Sequence, residues 1–157
     1  KACIEVIQVL QHVYDARHQF RITDSRTAEL TKYMENSFLA TKVSFCQQFY
    51  FIASEMDVDY EELRELFVLD PRVNPSHTFV DRLHPYWSSH CLDKDVPAIA
   101  DAYEASLLQE IIKFNENTKK CLGIIRRAEI PEGIKNDMLM YQAGVRRKEI
   151  LKDQETP

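Results

Sequence analysis

The chain has 157 residues, of which 45% are hydrophobic and 29% charged, and its formal net charge is −5. This length fits one compact domain with a real core and is too short for two full ones. Acidic residues outnumber basic ones, and the only dense basic cluster is "VRRKEILK". We therefore predict no surface that binds nucleic acid or a membrane. No apolar run approaches the roughly 18 residues of a membrane span and no cleavage signal opens the chain, so we expect a soluble, cytoplasmic protein.

The cysteines indicate neither a disulfide framework nor a metal site. They are widely spaced, with no C-x-x-C pair and no Cys/His cluster at ligand spacing. The four positions are Cys3, Cys46, Cys91 and Cys121. We therefore expect reduced thiols and no bound metal.

Apolar residues recur mostly at spacings of three and four, and this pattern predicts an all-α fold. A short amphipathic helix is expected at "ACIEVIQVLQHVYD", and "QFRIT" is predicted to be a brief extended piece. Asp24 and the neighbouring hydroxyls are suited to cap a helix start. Because no Pro or Gly follows until Pro71, one long helix is predicted from about Ser25 to Glu55.

The long helix carries apolar residues on more than one stripe. One set is Leu30, Met34, Phe38, Phe45, Phe49, Ile52 and Met56, and a second is Tyr33, Leu39, Val43, Cys46, Tyr50 and Phe51. A single small domain cannot easily cover both sides of so long a rod. We therefore expect a second copy of the chain to cover it, in a homodimer formed through this helix.

Shorter helices are predicted in the rest of the chain. One runs from Tyr60 to Leu69, and after a proline-containing loop Cys91 opens another that reaches about Ala105. The segment "SLLQEIIKFNENTKKCL" is predicted to be the next helix, and one more starts near Pro131. This organisation gives a helical domain at residues 1–123 and a C-terminal helical extension or tail at 124–157.

Cys91 is a candidate nucleophile. The helix dipole and the charges of Lys94 and possibly His90 favour the anionic form of a thiol at a helix N-terminus. Lys94 and Asp95 lie one turn further on and can face the same cavity. The alternative is that Cys91 caps a helix or fills a gap in the core, since free Cys is among the most buried residue types. The local sequence leaves both possibilities open.

Lys32 and Asn36 form a second candidate site. They are four residues apart and so lie on one face of the long helix, where an ammonium and a carboxamide could stabilise an oxyanion. The alternative is a solvated polar edge, which is the commoner meaning of such an isolated pair.

Three segments carry a family pattern. They are "TAELTKYMENSFLATKVSF", close to T-A-E-L-x-K-x-x-x-N-x-F-L-A-x-K; "MDVDYEELRELFVLDPRV", like G-x-D-x-x-E-V … D-x-R-I; and "HCLDKDVPAI", like G-G-[SH]-C-[FL]-P-K-D-[VL]. In this order and spacing they resemble the nucleotide-sugar dehydrogenases, the UDP-glucose and GDP-mannose 6-dehydrogenase family. The resemblance covers about residues 24–117 and implies the family's central helical domain, built around one long helix through which two subunits dimerise.

The resemblance implies an activity and a set of site residues. The family oxidises the C6 hydroxyl of a hexose nucleotide to a carboxylate with NAD, and holds the intermediate on a Cys. By motif, Cys91 takes the nucleophile position, and Asp95 is the acidic partner of Lys32. Lys32 and Asn36 take the oxyanion and water-orienting positions. The implied substrate-binding residues are Arg72, which reaches a neighbouring subunit's site, Arg82 and Lys94.

The chain departs from the family pattern just before Cys91. The family's G-[FY]-G-G-[SH]-C reads "YWSSHC", so that Tyr86, Ser88 and Ser89 replace three glycines, and Asp93 replaces a Pro. Because glycines there allow close approach and positive φ, we expect the new side chains to intrude on the sugar pocket or to change the loop.

No G-x-G-x-x-G turn follows a strand in this sequence, so we expect no NAD site of the chain's own. Two hypotheses remain. The chain is a piece of a nucleotide-sugar dehydrogenase that contributes half of an active site and the dimer interface. Alternatively, it is a degenerate, non-catalytic helical module retained for dimerisation or protein binding.

Overall fold

The computed structural model describes residues 2–14 and 18–127. These residues form five helices: α1 (Ala2–Gln11), α2 (Ser25–Glu55), α3 (Tyr60–Phe67), α4 (Leu92–Ala102) and α5 (Ser106–Arg127). No strand occurs in this part of the chain, which confirms the all-α prediction. None of these helices is both long and apolar enough to cross a bilayer. The chain divides into two compact units, of which the first ends at Met34 and the second begins at Glu35.

The predicted start and end of the long helix are confirmed by α2. Its first turn is capped by Asp24, whose carboxylate accepts hydrogen bonds from the Thr27 backbone N–H at 3.0 Å and from the Thr27 hydroxyl at 2.6 Å. These bonds hold the pKa of Asp24 below its ordinary value, because they stabilise the ionised form. The short helix expected at the N-terminus is also present as α1, and none of its residues is buried.

The other helix boundaries differ from the prediction by a few residues. The third helix ends at Phe67 instead of Leu69, and α4 ends at Ala102, where Glu104 in a left-handed conformation (φ 47°) separates it from α5. Gly123 does not end α5, which continues to Arg127. The predicted division after residue 123 therefore falls inside a helix, and the helix expected from Pro131 lies outside the described residues.

One hydrophobic cluster in the second unit joins α2, α4, α5 and the loop before α4. Its buried members are Ala40, Trp87, Leu92, Val96 and Ile111. Trp87 is the loop's contribution, and its indole N–H donates to the Ser44 hydroxyl of α2 at 3.0 Å. Asn115 of α5 holds both backbone groups of Trp87, accepting from its N–H at 2.9 Å and donating to its carbonyl at 3.0 Å. The loop that leads to Cys91 is therefore fixed from two helices.

A second cluster lies nearer the C-terminal end of α2, around Cys46, Ala53, Tyr60 and Val80. The Tyr60 hydroxyl donates to the carbonyl of Thr78 at 2.8 Å, which fastens the irregular chain after α3. Burial raises the pKa of both Tyr60 and the Cys46 thiol, because the charged forms would lose hydration. Both side chains therefore stay neutral near neutral pH.

Replacing Asn115 tests how the loop is held. Asn115 is fully buried, so Asn115→Ala leaves the N–H and carbonyl of Trp87 without their partners. We expect the free energy of unfolding in urea to fall by about 2 kcal/mol or more, because each unpaired buried group costs roughly 1–3 kcal/mol. The matched control is Asn117→Ala, a partly exposed position one half-turn on. Equal losses for the two variants would contradict this role.

Candidate functional site

A buried carboxylate links the helices at the candidate site. Asp95 of α4 is 2% exposed. Its Oδ2 accepts a hydrogen bond from the Asn36 amide of α2 at 2.7 Å, and its Oδ1 pairs with the Lys94 ammonium at 2.5 Å. The structure thus brings together three of the residues predicted from the sequence.

The buried charge orients the groups around it. An ionised carboxylate only accepts hydrogen bonds, so the Nδ2 side of the Asn36 amide must face Asp95. This fixes the orientation of the carboxamide and directs its Oδ1 elsewhere. Lys94 is 56% exposed, so its ammonium caps Asp95 from the solvent side. The arrangement is suited to presenting a fixed amide to a substrate oxygen or a water molecule.

Cys91 lies on the surface at the N-cap position of α4, immediately before Leu92. Its side chain is exposed, so it does not fill a gap in the core, and it makes no capping hydrogen bond. Its backbone is already helical, with φ −77° and ψ −51°. The Cys91 carbonyl accepts from the Asp95 N–H at 2.8 Å, which places the buried carboxylate one turn after the thiol.

The residues that stand in place of glycines have found structural roles. Ser89 caps α4: its hydroxyl accepts from the Leu92 N–H at 3.1 Å and its carbonyl from the Asp93 N–H at 3.0 Å. The Ser88 hydroxyl donates to Asp93 at 3.1 Å. Positive φ occurs at three non-glycine positions of residues 2–14 and 18–127, Asp57, His77 and Glu104, and so at none of these serines. The turn is therefore built by hydrogen bonds instead of by left-handed backbone.

The remaining predicted site residues lie apart from this group. Lys32 is exposed on α2, four residues before Asn36 and in the first compact unit, and its pairing with Asp95 stays a prediction. Arg72 is highly exposed and forms a two-pronged pair with Asp70, which lowers the pKa of that carboxyl.

Arg82 lies beside the C-terminal part of α2 and the start of α3. It approaches Glu61 at 3.6 Å and lines a polar cavity of about 400 Å³ beside Tyr50 and Tyr60. Tyr50 is 14 residues beyond Asn36 on α2, which corresponds to about 21 Å along the helix axis. Within one chain, Arg82 therefore does not lie in the same site as Asn36.

Sequence reasoning missed three residues that support the site: Ser44, Asn115 and Lys119. Ser44 and Asn115 fix Trp87, and Lys119 pairs with Asp93 at 3.3 Å. Asn115 and Lys119 are four apart on α5, the same spacing that singled out Lys32 and Asn36. That spacing puts two residues on one face of a helix, but only the packing shows which face meets the loop.

Neither a metal nor a dinucleotide fits the residues that the structure describes. Residues 2–14 and 18–127 contain no group of three or more His, Cys, Asp or Glu side chains able to hold a metal ion. Their one glycine, Gly123, lies inside α5, so they offer no glycine turn through which a backbone could approach a pyrophosphate. No step that uses NAD is therefore assigned to these residues.

Comparison with known proteins identifies a family. The model of the UDP-glucose/GDP-mannose dehydrogenase family, central domain, matches residues 26–117. The UDP-glucose 6-dehydrogenase of Rickettsia bellii is 31% identical over 124 residues, which are 76% of this chain and 26% of that protein. The Rickettsia felis enzyme of the same name is 28% identical over 69% of this chain and 26% of its own length.

A relative from a different bacterial group gives the same result. The UDP-glucose 6-dehydrogenase of Bacillus subtilis is 32% identical over 105 residues, or 64% of this chain and 23% of that protein. The chain thus spans about a quarter of the length of these curated relatives. No solved structure matches it significantly.

Asn36→Asp tests the bond between α2 and α4. The change sets two carboxylates side by side, which raises the pKa of one of them in the folded state. The folded protein then binds more protons than the unfolded chain, so stability falls as pH rises through the raised pKa. We expect urea denaturation to show a loss of about 2 kcal/mol or more at pH 8 and a smaller loss at pH 5.

The matched control for this variant is Asn74→Asp. It adds the same charge on an exposed turn, where the side chain accepts the Ser76 N–H at 2.8 Å and a carboxylate can do so equally well. A loss for Asn36→Asp that is no larger than for the control, or that does not depend on pH, would show that Asp95 does not hold α2.

Proposed function

The chain belongs to the UDP-glucose/GDP-mannose dehydrogenase family through its central domain, and we propose that it serves as a dimerising helical domain that supplies the nucleophilic cysteine for a nucleotide-sugar substrate. The relatives are named UDP-glucose 6-dehydrogenases, which makes UDP-glucose the substrate class to test first. NAD is the cofactor that this proposal implies for a complete enzyme, with its binding residues supplied from outside residues 2–14 and 18–127.

The observation that carries the proposal is the placement of Cys91. Its thiol is exposed at the N-terminus of α4, while Asp95 one turn later is buried and holds the Asn36 amide. A buried charge is costly unless it is fully paired, so an arrangement kept only for stability would more simply use apolar residues. An amide that is pre-oriented by a carboxylate one turn after a surface thiol instead matches the requirement of an addition at a carbonyl.

The proposed chemistry is the addition of Cys91 to an aldehyde at C6 of the sugar. The thiolate attacks the carbonyl carbon, a sulfur–carbon bond forms and the π pair moves to the oxygen. Asn36 and, on this proposal, Lys32 stabilise the resulting oxyanion, and a proton from solvent completes the thiohemiacetal. Asp95 keeps the Asn36 amide oriented and takes no proton in this step.

An exposed apolar surface supports the dimer. We call Phe38, Phe45 and Phe49 the apolar face of α2, and their exposures are 63%, 47% and 40%. The Phe45 ring lies tilted against the Phe49 ring, with centroids 4.8 Å apart, and its centroid is 6.3 Å from that of Phe67 in α3. Large contiguous apolar surfaces of this kind mark interfaces, and a second copy would bury the same face from each side.

One observation favours the alternative, a non-catalytic module kept for dimerisation or protein binding. The turn before Cys91 has Tyr86, Ser88 and Ser89 where the family pattern has glycines, and both serines are engaged in hydrogen bonds. Side chains at these positions add bulk to the turn before the thiol, where the family pattern has none. The two functions differ in whether Cys91 is unusually reactive.

Site-resolved alkylation with iodoacetamide from pH 6 to 9, read by mass spectrometry, separates them. Cys3 is a matched thiol, because it is also exposed and also lies at the N-terminal end of a helix. If the cations Lys32 and Lys94 support the Cys91 thiolate, Cys91 should react about threefold or more faster than Cys3. Cys46 and Cys121 should react slowest and only towards high pH, since burial raises the pKa of both thiols.

The result that favours the non-catalytic module is Cys91 reacting no faster than Cys3. Cys91→Ser serves to assign the fast signal, which must vanish in that variant. A parallel assay with UDP-glucose and NAD should show no reduced nicotinamide from this chain, because no glycine-rich dinucleotide turn occurs in its sequence.

The dimer is tested by charging the apolar face of α2. Phe38→Asp and Phe45→Asp each place a carboxylate where the partner copy would pack, and we expect sedimentation equilibrium to show monomers where the unchanged chain forms dimers. Phe79→Asp is the control, since Phe79 is 64% exposed but lies on the loop after α3. An unchanged chain that stays monomeric at high micromolar concentration would refute the dimer.

A further inference from the structure

Lys119 of α5 contacts several residues of the turn that carries Cys91. Its side chain is 24% exposed, and its ammonium lies 3.3 Å from Asp93 and 3.0 Å from Glu116. The same ammonium stands 5.4 Å from the centre of the Trp87 ring and 5.8 Å from that of Tyr86. One cation therefore contacts residues on both sides of Cys91 in the sequence.

Asp93 completes a bridge across Cys91. One of its oxygens accepts from Lys119 and the other accepts from the Ser88 hydroxyl at 3.1 Å. Ser88 lies three residues before Cys91 and Asp93 two residues after it, so their bond closes the turn that carries the thiol. Lys119 then joins this closed turn to α5.

We infer that Lys119 is a positioning residue for Cys91, acting through Asp93 and Ser88; this inference rests on the proposed nucleophilic role of Cys91. We call Ser88, Asp93 and Lys119 the latch. Asp93 stands where the family pattern has a Pro, whose ring would fix φ without help. In this chain three side chains restrain a turn that the family pattern builds from glycines and a proline.

The charge on Lys119 is the element to test. If only the methylene groups of Lys119 mattered, by packing against the Trp87 and Tyr86 rings, then removing the ammonium charge would change neither the loop nor Cys91. The ion pair with Asp93 and the position over both rings require the positive charge. Lys119→Met keeps most of the stem and removes the charge, whereas Lys119→Arg keeps the charge.

Trp87 gives a direct optical readout. It is the one tryptophan of the 157-residue chain and is 4% exposed, so acrylamide quenching of tryptophan fluorescence reports this loop alone. We expect Lys119→Met to raise the quenching constant about twofold or more and to lower the Cys91 alkylation rate towards that of Cys3. Lys119→Arg should keep both values near those of the unchanged chain, and the pH profile of Cys91 alkylation should shift in Lys119→Met but not in Lys119→Arg.

Two further variants keep the test decisive. Lys113→Met removes a lysine from the same helix, where it pairs with Glu110 at 3.5 Å, and should change neither readout. Asp93→Asn keeps an acceptor for Ser88 but loses the ion pair, so it should reproduce Lys119→Met even if that variant folds poorly.

The outcomes separate the latch from the proposed function. Unchanged Trp87 quenching in both Lys119→Met and Asp93→Asn would refute the latch, whatever the reactivity of Cys91. Increased quenching with an unchanged alkylation rate and pH profile would overturn the positioning role and leave Lys119 as structural support. A Cys91 that is no faster than Cys3 in the unchanged chain refutes the nucleophile proposal instead, and the quenching data still test the bridge.

Discussion

The buried carboxylate of Asp95 is the constraint on which the geometry of the site depends. A charge that is 2% exposed must be paired, and among the groups that pair with it are one from α2 and one from its own helix. Because Asn36 is one of them, the register of α4 against α2 is set where the bond forms. The position of Cys91, one turn earlier on α4, follows from that register.

The hydrophobic cluster around Trp87 supports the same register from a neighbouring part of the buried face of α4. Leu92 and Val96 lie on the buried face of α4, and Trp87 packs with them while Ser44 and Asn115 satisfy its polar groups. A buried indole and buried backbone groups leave few alternative arrangements, since each would lose a hydrogen bond. The loop has no regular secondary structure, but hydrogen bonds from α2 and α5 fix several of its atoms. A site on a loop needs such bonds to be ordered.

The sequence predicted the helices well and the site only in part. Spacing and capping gave the bounds of α2, because Asp24 signals a helix start and the absence of Pro and Gly allows a long run. The family resemblance, and not local pattern, assigned Asn36 and Asp95 to one site across 59 residues, but it paired Asp95 with Lys32, and the bond between Asn36 and Asp95 was not predicted. Lys119 shares a spacing of four residues with Asn115, but its role depends on which face of α5 meets the loop, and helical periodicity does not determine that choice.

The departures from the family pattern before Cys91 have a physical consequence of their own. Glycines give a turn its shape through backbone freedom, so the turn can adjust when a ligand binds. Here Ser89 caps the helix, and Ser88 and Asp93 restrain the turn. Each of these bonds lowers the conformational entropy of the free turn and raises the cost of moving it. A turn held in this way gains precision at the thiol and loses part of its freedom to change shape when a ligand binds.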